Sequence, residues 1–236
     1  MIIEFIKSLY IQIILVAITS YLIGSVSFPI IVTRIFTKHQ DIRDMGSGNA
    51  GFTNVLRSVG VWPAVITFLG DFLKCIVAIF IARYIFSASN FSYLPSFYTC
   101  QYGAYIAGFS CIIGHIYPCF FKFRGGKSIV ASFSMMVATH WQIGLIILII
   151  FLIVLSFSKI ISLASVICAL SYPLVNLTSL KYWVFYNNAN TIQCINYIIF
   201  TTFVSFLVMG IVVYKHKENI KRLLNGTEKK ISTKKM

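Results

Sequence analysis

Long runs without a charged residue set the terms for this chain. Ile11–Ile23, Leu145–Phe157 and Ile198–Tyr214 hold no Asp, Glu, Lys, Arg or His. A helix that crosses a bilayer needs about 20 predominantly apolar residues. Seven such segments can be marked, at 9–33, 61–86, 102–121, 128–140, 142–158, 161–180 and 193–214. The expected fold is all-α: a polytopic integral membrane protein of seven transmembrane helices. The fourth segment is short for a crossing. With 236 residues, 58% hydrophobic and 11% charged, no length remains for a soluble domain. Residues 1–236 are therefore read as one membrane-embedded domain. Glu4 beside Lys7 and the lack of a small-x-small site point to an uncleaved first helix, not a signal peptide.

Charge gives the orientation. The chain carries 20 Lys+Arg against 6 Asp+Glu. With the N-terminus outside, 34–60, 122–127, 159–160 and 215–236 lie inside. They hold Lys/Arg 34, 38, 43, 57, 122, 124, 127, 159, 215, 217, 221, 222, 229, 230, 234 and 235, against Lys7, Arg83 and Lys181 outside. This bias is the positive-inside pattern, and it retains the short fourth segment as a crossing. A multi-pass inner-membrane protein follows, with its C-terminus cytoplasmic. The Gly, Asn, Ser and His residues collect on the cytoplasmic side. The basic excess does not indicate nucleic acid, because no exposed basic module is long enough. Cysteines 75, 100, 111, 119, 168 and 194 form no C-x-x-C pair and read as small apolar residues, with no metal site.

Three polar segments interrupt the apolar pattern, within 34–60, 114–128 and 215–228. In the first, Gly46, Gly48 and Gly51 allow a sharply turned backbone that leads into a helix N-terminus, a phosphate-binding arrangement. Ser47, Asn49, Thr53 and Asn54 add neutral donors, and Arg57 adds a charged fork. His39 and Asp44 form H-x-x-x-x-D, the signature of a different glycerolipid acyltransferase family, but the downstream Pro-Glu-Gly-Thr-type block of that family is missing. In the second, Gly125-Gly126-Lys127-Ser128 resembles the end of a nucleotide P-loop, yet Phe121 stands where that loop needs glycine. A flexible Gly125–Gly126 backbone beside Lys127 still suits an anion. His115 reads as a packed histidine in an apolar helix. In the third, His216 and Asn219 share a face if the last helix continues, and Ile220, Leu223 and Leu224 form an apolar stripe. Asp71 and Lys74, three apart within a spanning helix, read as an internal pair that supports the site.

These segments carry a resemblance. Gly24-Ser25, Asp41-Ile-Arg43, Gly46 through Arg57, Asp71-x-x-Lys74, Gly114-His-x-x-Pro118 with Gly125-Gly-Lys127, Ser162-Leu-Ala-Ser165, and His216-x-x-Asn219 with Arg222, Gly226 and Glu228 stand in family order. The chain resembles the bacterial acyl-phosphate:glycerol-3-phosphate acyltransferases of the PlsY type, almost end to end. The resemblance implies acyl transfer from acyl phosphate to the 1-hydroxyl of glycerol 3-phosphate, giving lysophosphatidate and inorganic phosphate, the first committed step of bacterial phospholipid synthesis. It implies no metal, no cofactor, and a functional link to the enzyme that produces acyl phosphate. By position, Ser47 and Arg57 fall on the essential serine and arginine. Gly125, Gly126 and Lys127 fall on the glycerol-phosphate motif, His216 and Asn219 on the activity-linked pair, and Glu228 on a structural glutamate. Ser27, Pro29, Phe52, Cys75 and Ser128 depart from the usual residues. The alternative is a small transporter of an anionic metabolite, which would explain the helices and the basic loops but not three polar motifs on one side.

The chemistry fits the composition. Acyl phosphate has a good leaving group, so an enzyme can succeed by positioning two anions and stabilising developing charge. A site poor in carboxylates suits that task. The loop 46–57 with Arg57 is expected to hold one phosphate, with Gly46, Gly48, Asn49, Thr53 and Asn54 as donors, and Lys127 with Gly125–Gly126 the other. His216 or a phosphate oxygen takes the attacking proton.

Overall fold

The computed structural model of the chain describes residues 2–88, 96–182 and 192–231. Of the loops expected outside, 87–101 and 181–192, residues 89–95 and 183–191 lie outside the described residues, as do Lys234 and Lys235. The described secondary structure is helical: α1 (Ile2–Gly24), α2 (Phe28–Phe36), α3 (Phe52–Ser58), α4 (Val61–Ser87), α5 (Ser96–Ile116), α6 (Ile129–Thr139), α7 (Trp141–Ser158), α8 (Ile161–Leu180), α9 (Ile192–Lys215) and α10 (Lys217–Leu224), with short 3-10 turns at Ile42–Asp44 and Cys119–Phe121. The chain divides into two compact units, Met1–Thr139 and His140–Met236.

Six helical segments are long and apolar enough to cross a membrane: Leu9–Phe36, Val61–Ser87, Phe97–Phe121, Trp141–Ser158, Ile161–Leu180 and Ile192–Lys215. The expected count of seven full spans is corrected here. The fourth apolar segment forms α6, an 11-residue helix. At 1.5 Å per residue it rises roughly 16 Å, about half of a hydrocarbon core near 30 Å. Its last carbonyls need partners, because apolar surroundings supply none. Arg83 Nη2 donates to the Ala138 carbonyl at 2.8 Å, and Gln101 Nε2 donates to that of Thr139 at 3.3 Å. Arg83 also holds Gln101 Oε1 at 3.0 Å, so the cap is cross-braced.

The first apolar segment is not one helix either. Small residues Ser25 to Ser27 break it, and Pro29 opens α2 in the first turn, where its missing N–H is harmless. The break leaves the Val26 carbonyl without a helical partner, and the buried Lys74 ammonium reaches it at 2.8 Å. In this unit Val16, Ile79, Tyr105, Ile112, Ile116 and Met135 are fully buried where α1, α4, α5 and α6 pack together.

In the second unit α8 packs against both α7 and α9, around the buried Tyr172, Leu180 and Tyr197. Asn176 Nδ2 on α8 donates to Thr201 Oγ1 on α9 at 3.3 Å, a buried polar tie between apolar helices. The outer faces of both units are apolar. Ile18, Leu73, Phe80, Leu152 and Phe203 are all exposed, and Phe157 is 86% exposed. Such continuous apolar surface is what a lipid solvent demands, and water would not tolerate it. The six cysteines are free thiols, four of them buried.

Candidate active site

The loop 41–51 leaves α2 and leads into α3. It rests on its own small core of Ile30, Ile42, Ala50, Val55 and Ala64, flanked by Met45, Phe52, Leu56, Val59 and Phe121. Above this floor the chain turns tightly. Gly46 and Gly48 adopt φ of +56° and +70°, a region that L side chains enter only with strain. Gly51 caps α3 without a side chain, so the first N–H groups of that helix stay open at Phe52 and Thr53. Ser47 and Arg57 are exposed, and Asn49 and Thr53 are half-buried. Among the described residues Arg57 makes no side-chain hydrogen bond or ion pair. Phe52, a departure from the family pattern, is absorbed by packing, with its ring edge-on to Phe68 at 5.9 Å between centroids.

Asn54 takes a different place from the one expected. It is buried, and both ends of its amide serve the loop. Oδ1 accepts from the Ser47 N–H at 2.9 Å, and Nδ2 donates to the carbonyls of Ile42 (3.1 Å) and Met45 (2.9 Å). The side chain holds the loop in shape and does not face an incoming anion.

The second loop follows α5. A corner at Lys122 and Phe123, both at positive φ, turns the chain back along the end of the helix. Here too the geometry differs from the expected nest. The Gly125 N–H donates to the Ile116 carbonyl at 3.1 Å, and that of Gly126 to the His115 carbonyl at 3.2 Å. Neither is available to a phosphate. The glycines are needed for close approach: a Cβ at 125 would fall on the His115 carbonyl, and one at 126 on the Ala50 carbonyl and the His115 ring. Lys127 is half-buried beside them, and Ser128 is buried at φ +64°.

The two loops are bound to each other. Gly126 packs directly on Ala50. Arg43 Nη1 donates to the Phe121 carbonyl at 2.8 Å and to the Arg124 carbonyl at 3.2 Å. Asp41 fixes that guanidinium through Oδ1 to Nε (3.0 Å) and Oδ2 to Nη2 (2.8 Å), and also takes Arg34. Burial raises the Asp41 carboxyl value, but the hydrogen bonds from Arg43 outweigh it and hold the group below its ordinary range. Sequence reasoning gave Asp41 and Arg43 no role. The usable signal was scarcity: with six acids in the chain, one of them two residues from an arginine in a polar loop is worth questioning.

Asp71 and Lys74 do pair, at 2.7 Å, and His115 joins them. In the second unit the helix does not run on unbroken through His216. The chain kinks there, and His216 opens α10. Its Nδ1 lies 2.8 Å from the Val212 carbonyl, which only accepts, so Nδ1 carries a proton. Asn219 is buried, and its Nδ2 donates to Glu228 Oε1 at 2.7 Å. Glu228 also accepts from Ser162 Oγ at 2.7 Å and Arg222 Nε at 2.6 Å. Burial pushes the Glu228 carboxyl up, but these three donors prevail and keep it below its ordinary value.

A family model described as glycerol-3-phosphate acyltransferase matches residues 14–226. The glycerol-3-phosphate acyltransferase of Prochlorococcus marinus (strain MIT 9312) is 38% identical over 93% of this chain and 98% of its own length. That of Carboxydothermus hydrogenoformans is 34% identical over 95% and 99%. The fold is similar to the crystal structure of PlsY, an integral membrane glycerol 3-phosphate acyltransferase, in its glycerol 3-phosphate form. The TM-score is 0.74 at 27% identity, covering 94% of this chain and 96% of that one. The lysophosphatidic acid form of the same enzyme gives 0.72. The chain belongs to the glycerol-3-phosphate acyltransferase family.

Proposed function

We propose that the chain transfers a fatty acyl group from acyl phosphate to the 1-hydroxyl of glycerol 3-phosphate at the cytoplasmic face of the bacterial inner membrane. The observation that carries this reading is the pair of loops tied together by Arg43. One presents Ser47 and Arg57, and the other Lys127, and of the acids in the first loop Asp41 is already bound by Arg43 and Arg34. In the transfer, the 1-hydroxyl oxygen bonds to the acyl carbonyl carbon. The bond from that carbon to the phosphate oxygen breaks, and inorganic phosphate leaves with the electron pair. The hydroxyl proton passes to His216 Nε2 or to a substrate phosphate oxygen. Arg57 with the 46–53 loop and Lys127 neutralise the two phosphates, and cations placed in advance where charge develops lower the barrier most. Ser47 donates to a phosphate or the carbonyl oxygen, and Asn219 orients the acceptor.

Residues 1–236 act as one catalytic domain, with the N-terminus outside and the segments 34–60, 114–128 and 215–228 cytoplasmic. The positive-inside bias supports this orientation. Acyl phosphate hydrolyses readily, so its producer is a functional partner. The deciding experiment supplies purified protein in detergent with acyl phosphate and glycerol 3-phosphate. Lysophosphatidate and phosphate are expected, and acyl-CoA should not replace the donor. Product with acyl-CoA alone would overturn the donor assignment. Acyl-protein trapped without acceptor would replace direct attack by a covalent route.

A further inference from the structure

We propose that His115 is a positioning residue of the transfer: Lys74 fixes its ring in the Nε2–H tautomer, and that ring sets the seam where the loop 46–57 meets the loop 122–128. The inference rests on the acyltransferase reading of those loops. Asp71, Lys74 and His115 are 2%, 5% and 5% exposed, a charged group sealed within the first unit.

Lys74 Nζ has three partners: Asp71 Oδ1 at 2.7 Å, the Val26 carbonyl at 2.8 Å and His115 Nδ1 at 3.1 Å. An ammonium group has three hydrogens and no lone pair. The nitrogen facing it must therefore accept, and a neutral imidazole that accepts at Nδ1 carries its hydrogen on Nε2. Asp71 Oδ1 lies 3.4 Å from the same Nδ1, which would allow a protonated ring donating to the carboxylate. That arrangement sets two cations 3.1 Å apart against a single carboxylate, and a like charge that close disfavours the protonated ring.

The ring then reaches the seam. A Cβ on Gly126 would meet His115 Nε2 and the Ala50 carbonyl together, so ring, glycine and carbonyl share one small space. The backbone on either side is fixed by the bonds from Gly125 and Gly126 to the Ile116 and His115 carbonyls. Those bonds survive any substitution at 115. What the side chain adds is the spacing between Gly126, next to Lys127, and Ala50, three residues from Ser47. Asp71 and Lys74 thereby gain a purpose beyond orienting a helix: they hold the ring that sets this gap.

The test combines kinetics with a probe that does not depend on turnover. Nitrogen-15 NMR of full-length protein in detergent, with histidine labelled and His115→Gln used for assignment, should show Nδ1 unprotonated and Nε2 protonated near neutral pH. A ring protonated at both nitrogens, or at Nδ1 alone, overturns the proposal. His115→Ala should raise the KM for glycerol 3-phosphate by about tenfold or more, the factor for losing one buried hydrogen-bonded contact, with a smaller change in kcat. His115→Gln, which keeps an N–H at the ε position, should recover most of that loss. Equal kinetics for wild type and a folded His115→Ala would overturn the proposal. If His115→Ala does not fold, the Gln variant and the NMR decide: Gln kinetics no better than Lys127→Ala would overturn it. If the wild type itself transfers no acyl group, the functional reading fails while the tautomer remains testable.

Discussion

Arg43 Nη1 lies 2.8 Å from the carbonyl oxygen of Phe121, 78 residues further along the chain. That bond joins the loop of Ser47 to the loop of Lys127, and Asp41 holds the guanidinium in place to make it. Arg43→Ala removes a charge-assisted contact of about 1.5–3 kcal/mol. Transfer should slow by roughly tenfold to a hundredfold. Arg43→Lys keeps the charge but not the fork, so it should recover only part. Steady-state rates of purified variants check this, and a normal rate in Arg43→Ala would mean the loops hold without the clamp.

Arg57 and Lys127 should separate kinetically. Arg57→Ala should nearly abolish turnover, because this exposed guanidinium has no side-chain hydrogen bond or ion pair among the described residues and is open to a substrate phosphate. Lys127→Ala should mainly raise the glycerol 3-phosphate requirement. Saturation curves for both substrates distinguish the two, and a variant of Arg57 with wild-type kcat would remove it from the phosphate clamp.

Asn54 should behave as a brace. Asn54→Ala leaves two loop carbonyls and the Ser47 N–H without their partner, at about 1–3 kcal/mol for each buried polar group stranded. The melting temperature in detergent should fall together with activity. Full stability with lost activity would instead place Asn54 against substrate.

The Glu228 hub predicts a pH dependence. Its folded carboxyl value lies below the ordinary 4.5, with burial opposing and three donors prevailing. Its contribution to stability is therefore complete above 4.5 and is lost as pH falls through the lowered folded value. Thermal unfolding down an acid series should show a steeper loss for wild type than for Glu228→Gln. Parallel curves would show that the hub does not depend on the carboxylate charge.

Ser128 carries a strain that glycine would not. It is buried at φ +64°, and its hydroxyl has no partner among the described residues. Ser128→Gly should stabilise the protein by about 1 kcal/mol, by relieving a left-handed side chain and a stranded hydroxyl. Chemical or thermal unfolding measures the gain, and a loss of stability would mean the hydroxyl is satisfied.

Much of the architecture was legible because lipid imposes a simple rule on hydropathy. Each of the seven apolar segments contains a helix, and the polar loops fall between them. Hydropathy reports how apolar a stretch is, but not whether its backbone is fully paired. The break at Ser25–Ser27 was hidden for that reason, since it depends on a distant donor, Lys74. The short fourth segment was legible, but not the donors that satisfy its end, Arg83 and Gln101. The loops were legible in composition and less so in roles. A glycine reads the same whether it frees an N–H or admits a neighbour, and only the bonds to His115 and Ile116 show that Gly125 and Gly126 do the second. Asn54 was misjudged likewise, since an amide inside a polar loop gives no sign of which way it faces. Arg43 was passed over because its partners lie in the other loop.

The shortness of α6 has a consequence for solvent. An 11-residue helix rises only roughly 16 Å, so α6 cannot by itself span a hydrocarbon core near 30 Å. Its last carbonyls are satisfied by Arg83 and Gln101, so this end of the helix can sit where no water reaches.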